Sequence, residues 1–310
     1  MLRAQTKIAN RPSLLTLTLT LTFLATTAFA GAQEQTGESM NSTATGQYAE
    51  VNGLNLYYEV LGEGDPLILL HGGLGATSMF GEVTTLLANG RQVIAVDLQA
   101  HGHTADIDRP LSYEAMADDI AALIKELGFE RADVMGYSLG GGVALRTAIQ
   151  HPEVVRKLVL VSTPFARDGW FPEVLAGMGQ MSTESAMMMQ ETPMYGLYAS
   201  IAPRPEDWPV LVGKVGDLLR QDYDWSEDVS KMTTPTLLVA GDADQVRTSH
   251  TVAFFELLGG GQRDGGWDGS GMSNARLAIL PGVTHYTIFM LPALTEVVKP
   301  FLNSPAPAAE

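Results

Sequence analysis

The chain has 310 residues, 45% apolar and 17% charged, enough to bury one large core or two modest ones in a soluble globular protein. A net charge of −16 argues against a nucleic-acid partner, which calls for a basic face, and against adsorption to an anionic membrane. The absence of cysteine excludes disulfides, thiolate metal sites and a cysteine nucleophile.

In chain order, Arg3, Lys7 and Arg11 precede an apolar run over 14–30, with small-x-small sites at Ala28-Phe29-Ala30 and Ala30-Gly31-Ala32. This is the layout of a secretory signal peptide, placed at 1–32, so an exported protein (periplasmic or extracellular) is expected. The run is short and threonine-diluted for a spanning helix, and no stable membrane insertion is expected after cleavage. Residues 33–47, rich in Ser, Thr, Gly and Glu, read as a disordered spacer. Two β-rich runs over 48–60 flank Asn52-Gly53, a hairpin signal. The apolar run 67–70 suits a central parallel strand and ends in His71-Gly72-Gly73-Leu74-Gly75. A helix is predicted over 78–88, a strand over 92–96 ending at Asp97, and a polar loop over 98–108 carrying His101 and His103. Ser112 caps a helix that runs to 127 and stops at Gly128. A strand over 132–135, the turn Gly136-Tyr137-Ser138-Leu139-Gly140 and a helix over 143–149 follow, then a strand over 157–162.

From 163 the alternation is lost. The stretch 165–230 holds several prolines, three of the four tryptophans and a Met-rich run over 178–194, and reads as a cap insertion. Met187 to Met189 are expected to pack its apolar interior. Alternation resumes with a strand over 236–240, a helix over 249–258, a strand over 276–280 and a helix over 287–302. Between the last two units, 259–271 contains seven glycines and reads as a flexible insertion, and 304–310 as a tail. Strands alternating with helices predict an α/β fold, a mostly parallel central sheet with helices on both faces, built from 48–164 and 231–303.

The order strand, G-x-S-x-G, helix is the context of a nucleophile elbow, with Ser138 at its tip and the Leu139 N–H at a helix start. A serine hydroxyl needs a base, and the base needs a carboxylate to orient it. His285 is the histidine that follows both a candidate acid and a strand. Asp244, at the end of the 236–240 strand, is the preferred acid and Asp242 the fallback. All three positions fall at the carboxyl ends of strands, where α/β sheets place their sites. An acyl oxyanion needs two donors, for which Leu139 N–H and Gly73 N–H are the candidates. His151 and His250 fall within or at the end of predicted helices and His71 sits at a strand end beside the oxyanion loop, while His101 and His103, in a His-Gly turn, read as structural and lack the carboxylates of a metal site, so neither metal nor cofactor is expected.

The stretches LILLHGGLG, VIAVDLQAHGHT, GYSLGG, GDAD and PGVTH follow one another in this order. With them the chain, from about residue 48 to 302, resembles the α/β-hydrolase fold enzymes. The resemblance implies a triad of Ser138, Asp244 and His285, oxyanion donors at Gly73 and Leu139, and a cap at 165–230. Dehalogenases and epoxide hydrolases of the family use aspartate where this chain has Ser138, and the proline iminopeptidase HGGPG is not matched at Leu74. The expected activity is that of a secreted, cofactor-independent serine hydrolase acting on a small or medium uncharged carboxylic ester. Alternatives on the same triad are a lactonase, a carbon–carbon bond hydrolase, or a ligand-sensing protein with little turnover. The expected partner is a small-molecule ester, and the sequence carries no signal for oligomeric state.

Overall fold

The computed structural model describes residues 45–305; the signal peptide expected at 1–32 and the last residues of the tail lie outside them. The chain enters through β1 (Thr45–Val51) and β2 (Leu54–Leu61). They form a hairpin whose turn residues Asn52 and Gly53 both take left-handed φ, 51° and 79°, as a two-residue type I′ turn requires. The spacer expected to end at 47 is shorter: Gln47 already pairs with Tyr58. Then come β3 (Asp65–Leu70), α1 (Glu82–Ala88), β4 (Arg91–Val96), α2 (Tyr113–Glu126), β5 (Ala132–Tyr137), α3 (Leu139–Gln150) and β6 (Val155–Val161). The segment after β6 carries α4 (Pro172–Met178), α5 (Pro193–Ile201), α6 (Trp208–Arg220) and α7 (Ser226–Val229). The chain closes with β7 (Thr236–Ala243), α8 (Thr248–Leu257), β8 (Ala275–Thr284) and α9 (Pro292–Asn303).

Among the described residues, eight strands form one sheet in the order β1-β2-β4-β3-β5-β6-β7-β8, parallel from β4 to β8. Side chains alternate across it. Ile68, Leu70 and Val134 join the core on the α2–α3 face, while Leu67, Leu69 and Met135 join α1 and α9 on the other. All six residues of β5 are buried, and each buried Leu or Val in such a layer stabilises by about 1.5–3 kcal/mol.

Two predicted helices are broken. The one over 78–88 splits at Gly81, whose φ of 50° separates a short 3₁₀ turn from α1. The one over 287–302 is interrupted because Pro292 pushes Leu291 into an extended conformation. The strand over 276–280 is longer than predicted and passes through Pro281, tolerated because β8 is an edge strand. Met187 and Met188 correct the expectation of a buried methionine cluster, being 74% and 81% exposed. In their short 3₁₀ turn only Ala186 points inward, beneath Trp208, whose Nε1 donates to the Ala186 carbonyl at 3.1 Å. Met189 alone of the three faces a cavity.

Glycine substitutions should separate tight from open positions. A Cβ at Gly140 would lie 2.3 Å from the His71 carbonyl oxygen, so Gly140→Ala should cost about 1–3 kcal/mol and lower Tm by several degrees. Gly196 in α5 has open space around its Cβ position, and Gly196→Ala should stabilise by about 0.5–1 kcal/mol. Thermal unfolding of the two variants reads both signs.

Candidate active site

The site is assembled where β5, β6, β7 and β8 end. After β5 the chain must reverse into α3 within one residue, which holds Ser138 at φ 54° and ψ −118°. This is possible because Gly136 and Gly140 carry no side chain. A Cβ at Gly136 would lie 2.2 Å from the Gly140 carbonyl oxygen. Ser138 N–H donates to Val161 O at 2.9 Å, and Gly142 N–H to Ser138 O at 3.0 Å, tying the elbow to β6 and α3.

Asp244 and His285 arrive together because β7 and β8 pair to their ends, with Ala243 opposite Thr284 across a register shift. The next residues on each strand, Asp244 and His285, are therefore neighbours. His285 Nδ1 lies 2.8 Å from Asp244 Oδ1, and His285 Nε2 lies 3.1 Å from Ser138 Oγ. With the Nδ1 proton held by the carboxylate, Nε2 presents its lone pair to the serine hydroxyl. Both side chains are buried. Asp242, the fallback acid, is exposed and accepts from Gly282 N (2.8 Å) and Val283 N (3.2 Å), so it ties the β8 turn instead of meeting His285.

Several supporting residues were not singled out in the sequence. Ser162, left-handed at φ 54°, donates its hydroxyl to Asp244 Oδ2, which also accepts from Gly241 N at 3.1 Å. Burial alone would raise the Asp244 carboxyl, but the bonds from His285, Ser162 and Gly241 outweigh it and hold it below the usual carboxylate value. Thr163 Oγ1 donates to Ser138 O at 3.2 Å, so one short turn after β6 braces both Ser138 and Asp244. Tyr137 OH donates to the His285 carbonyl at 2.8 Å, and burial pushes this phenol up, keeping it protonated. Trp170 meets the His285 ring edge-on at 5.5 Å. The one sequence signal for Ser162 and Thr163 was their place at the end of a buried strand, the rim that collects functional groups.

Gly73 and Leu139 stand together on the cavity floor: a Cβ at Gly73 would lie 3.3 Å from Leu139 Cδ1. Leu139 is the first residue of α3, so its N–H has no acceptor within the helix. The Gly73 loop is held from below. His71 is fully buried, with Nδ1 2.7 Å from Gly72 O and Nε2 accepting from Leu98 N at 3.1 Å. His101 packs 5.0 Å from it and contacts Gln99 O, while His103 and Thr77 N are held by Asp97. His250 stacks on Phe165 and accepts from its N–H at 3.2 Å, and His151 pairs with Asp118. These rings organise backbone rather than reach Ser138.

Above the floor lies a cavity of about 850 Å³ that contains Ser138 and His285 and is roofed by α4, α5 and α6.

A family model described as alpha/beta hydrolase fold matches residues 65–193, a span that includes the Gly73 loop and the elbow. An sn-1-specific diacylglycerol lipase of Xenopus laevis is 33% identical over 129 residues, 40% of this chain and 41% of that protein. A 2-hydroxymuconate semialdehyde hydrolase of a Pseudomonas species is 35% identical over 127 residues, 40% of this chain and 45% of that protein. The match thus spans less than half the length of these curated relatives. Among solved structures, E-2-(acetamidomethylene)succinate hydrolase superposes with a TM-score of 0.67 at 19% identity, covering 84% of this chain and 100% of that one.

The buried rings set a pH dependence of stability. Burial keeps His71 below its ordinary 6.5, burial and the neighbouring His71 bring His101 to about 3, and burial brings His250 to about 4. The unfolded chain takes up protons below about pH 6.5 that the folded one refuses, so their contribution is complete above that pH and is lost on acidification. Stability should fall from pH 6.5 to 5 by up to about 1.4 kcal/mol per unit and per ring. Calorimetric Tm values across that range test this; an unchanged Tm would contradict it.

Proposed function

We propose that this chain, which matches an alpha/beta hydrolase fold family model over residues 65–193, is a serine hydrolase of uncharged carboxylic esters, working through an acyl-enzyme. The observation that carries the reading is the 3.1 Å contact between Ser138 Oγ, on a strained elbow, and an imidazole already oriented by a buried carboxylate. In this reading His285 Nε2 takes the Ser138 proton as Oγ bonds to the ester carbonyl carbon. The oxyanion is bound by Leu139 and Gly73 N–H, and Asp244 stabilises the imidazolium. Collapse of the tetrahedral species breaks the bond to the alcohol, which leaves with the proton from His285. A water deprotonated by the same imidazole then attacks the acyl carbon and releases the acid and Ser138.

The absence of charge on the substrate is supported by the cavity wall, where, among the described residues, Glu173 is the one carboxylate outside the proposed triad and no lysine or arginine lines the space. The similarity to a diacylglycerol lipase favours an ester; relatives named for carboxylate substrates fit a wall without cations less well. The basic start and apolar run ahead of residue 32 support export of the mature chain.

With p-nitrophenyl butyrate, the wild-type chain should turn over repeatedly, and Ser138→Ala should lose at least about 10³-fold in kcat with its Tm retained. Turnover that survives Ser138→Ala would reject the reading. Ser162→Ala removes a donor from the Asp244 carboxylate. It should lower kcat about tenfold and move the acid limb of the pH–rate profile to higher pH. A variant with lower Tm but an unmoved limb would limit Ser162 to stability.

A further inference from the structure

The cavity wall says more than that the substrate is neutral. Its volume of about 850 Å³ is near the upper end for sites that enclose drug-sized ligands, well beyond what an acetyl group fills. Six methionines, Met79, Met178, Met181, Met189, Met194 and Met290, contribute to the wall from separate segments of the chain. Thioether chains are unbranched and polarizable and repack around apolar ligands of different length. Apart from Glu173 on α4, the remaining roof is apolar, with Val174, Pro193, Leu197, Val215 and Leu219 contributed by α4, α5 and α6. Polar side chains cluster near the triad: Gln245 follows Asp244, Tyr286 follows His285, and the two hydrogen-bond to each other. A carboxylate at the far end of an acyl chain would find no guanidinium or ammonium on this wall and would lose its hydration uncompensated. Glu173 would repel it further.

We propose that the site takes esters of medium- to long-chain acyl groups, the chain lying along the methionine wall under α4 and α5 and ending without a charge. This rests on the serine hydrolase reading for its chemistry but on the cavity for its specificity. Each methylene that leaves water for the wall contributes up to about fourfold in kcat/KM, the equivalent of about 0.8 kcal/mol. Gains should continue until the chain outgrows the space, whereas a short-acyl site would level off after two or three carbons.

The test is a p-nitrophenyl ester series from acetate to dodecanoate, run beside the p-nitrophenyl monoester of octanedioic acid, below the micellar concentration of each. The expected result is a kcat/KM at least about 100-fold higher for octanoate than for acetate, with the octanedioate monoester at least about tenfold below octanoate. A maximum at acetate or butyrate, or equal rates for the octanoate and octanedioate esters, would overturn the proposal and leave the hydrolase reading intact. A second measurement separates the two ideas. Trp170 lines the cavity, so methyl octanoate should give a saturable fluorescence change with Ser138→Ala, and methyl acetate none at the same concentration. Such binding without turnover of any ester by the wild-type chain would reject the hydrolase reading and keep the acyl cavity; no binding of either ester would overturn the cavity proposal.

Discussion

The backbone of Ser138 is the constraint on which the rest of the site depends. A non-glycine residue at φ 54° and ψ −118° stores about 1–3 kcal/mol, and the strain is offset by its surroundings. Below it, every residue of β5 is buried in the middle of the sheet. Beside it, the amide donates to Val161 and the carbonyl accepts from Gly142 and Thr163. Relaxing the elbow would break these bonds and drive α3 into β3, because Gly140 already sits against the Leu70 and His71 carbonyls. Ser138 is thus raised above the strand ends by a packed core rather than by a flexible loop, as the proposed nucleophile, which must meet its base in one geometry, requires.

The same logic extends sideways across the sheet. Ser162 repeats the left-handed φ of Ser138 one strand over, and from there its hydroxyl reaches Asp244. On the next two strands, pairing continues to Ala243 and Thr284, so the sheet itself sets Asp244 beside His285. Asp242 secures that end of the ladder by accepting from two amides of the β8 turn. Two carboxylates two residues apart therefore do different work: one holds a turn at the surface, and the other is buried, hydrogen-bonded and kept ionised for an imidazole. Strand alternation alone would point both side chains to the same face; the difference comes from the register shift between Gly241 and Ala243, after which Asp244 is aimed inward.

Where local chemistry decides the structure, the sequence was readable. The hairpin at Asn52-Gly53, the cap at Ser112, the glycines around Ser138 and the placement of Asp244 and His285 after strands all follow from rules that operate over a few residues. Ser112 does accept from the Ala115 amide, at 3.1 Å. Long-range packing was not readable. Nothing near Ser162 in sequence announces a contact 82 residues away, and the exposure of Met187 and Met188 is set by which residue of a short turn lies under Trp208. The choice between Asp242 and Asp244 also belongs here, since it turns on a register shift between β7 and β8 that periodicity does not reveal.

The roof of the cavity is built on different terms from its floor. α4 has no buried residue and α5 only Tyr198, whereas α6 is fixed by the buried Trp208 and by Lys214, whose ammonium binds Asp106 and the carbonyls of Ile107 and Arg109. One helix of the insertion is therefore locked to the loop after β4, and the two that face the methionines are held by little of their own core. Few buried contacts mean low local stability, the condition under which a segment opens or shifts at small cost. In the proposed reaction the floor, strained and braced by hydrogen bonds between the ends of three strands, would fix which bond is attacked. The roof, mostly apolar and loosely anchored, would adapt to what is attached to that bond. On the proposed reading, rigid chemistry under an adaptable wall follows from placing Ser138, Asp244 and His285 at strand ends and the cavity roof on an insertion that the sheet does not support.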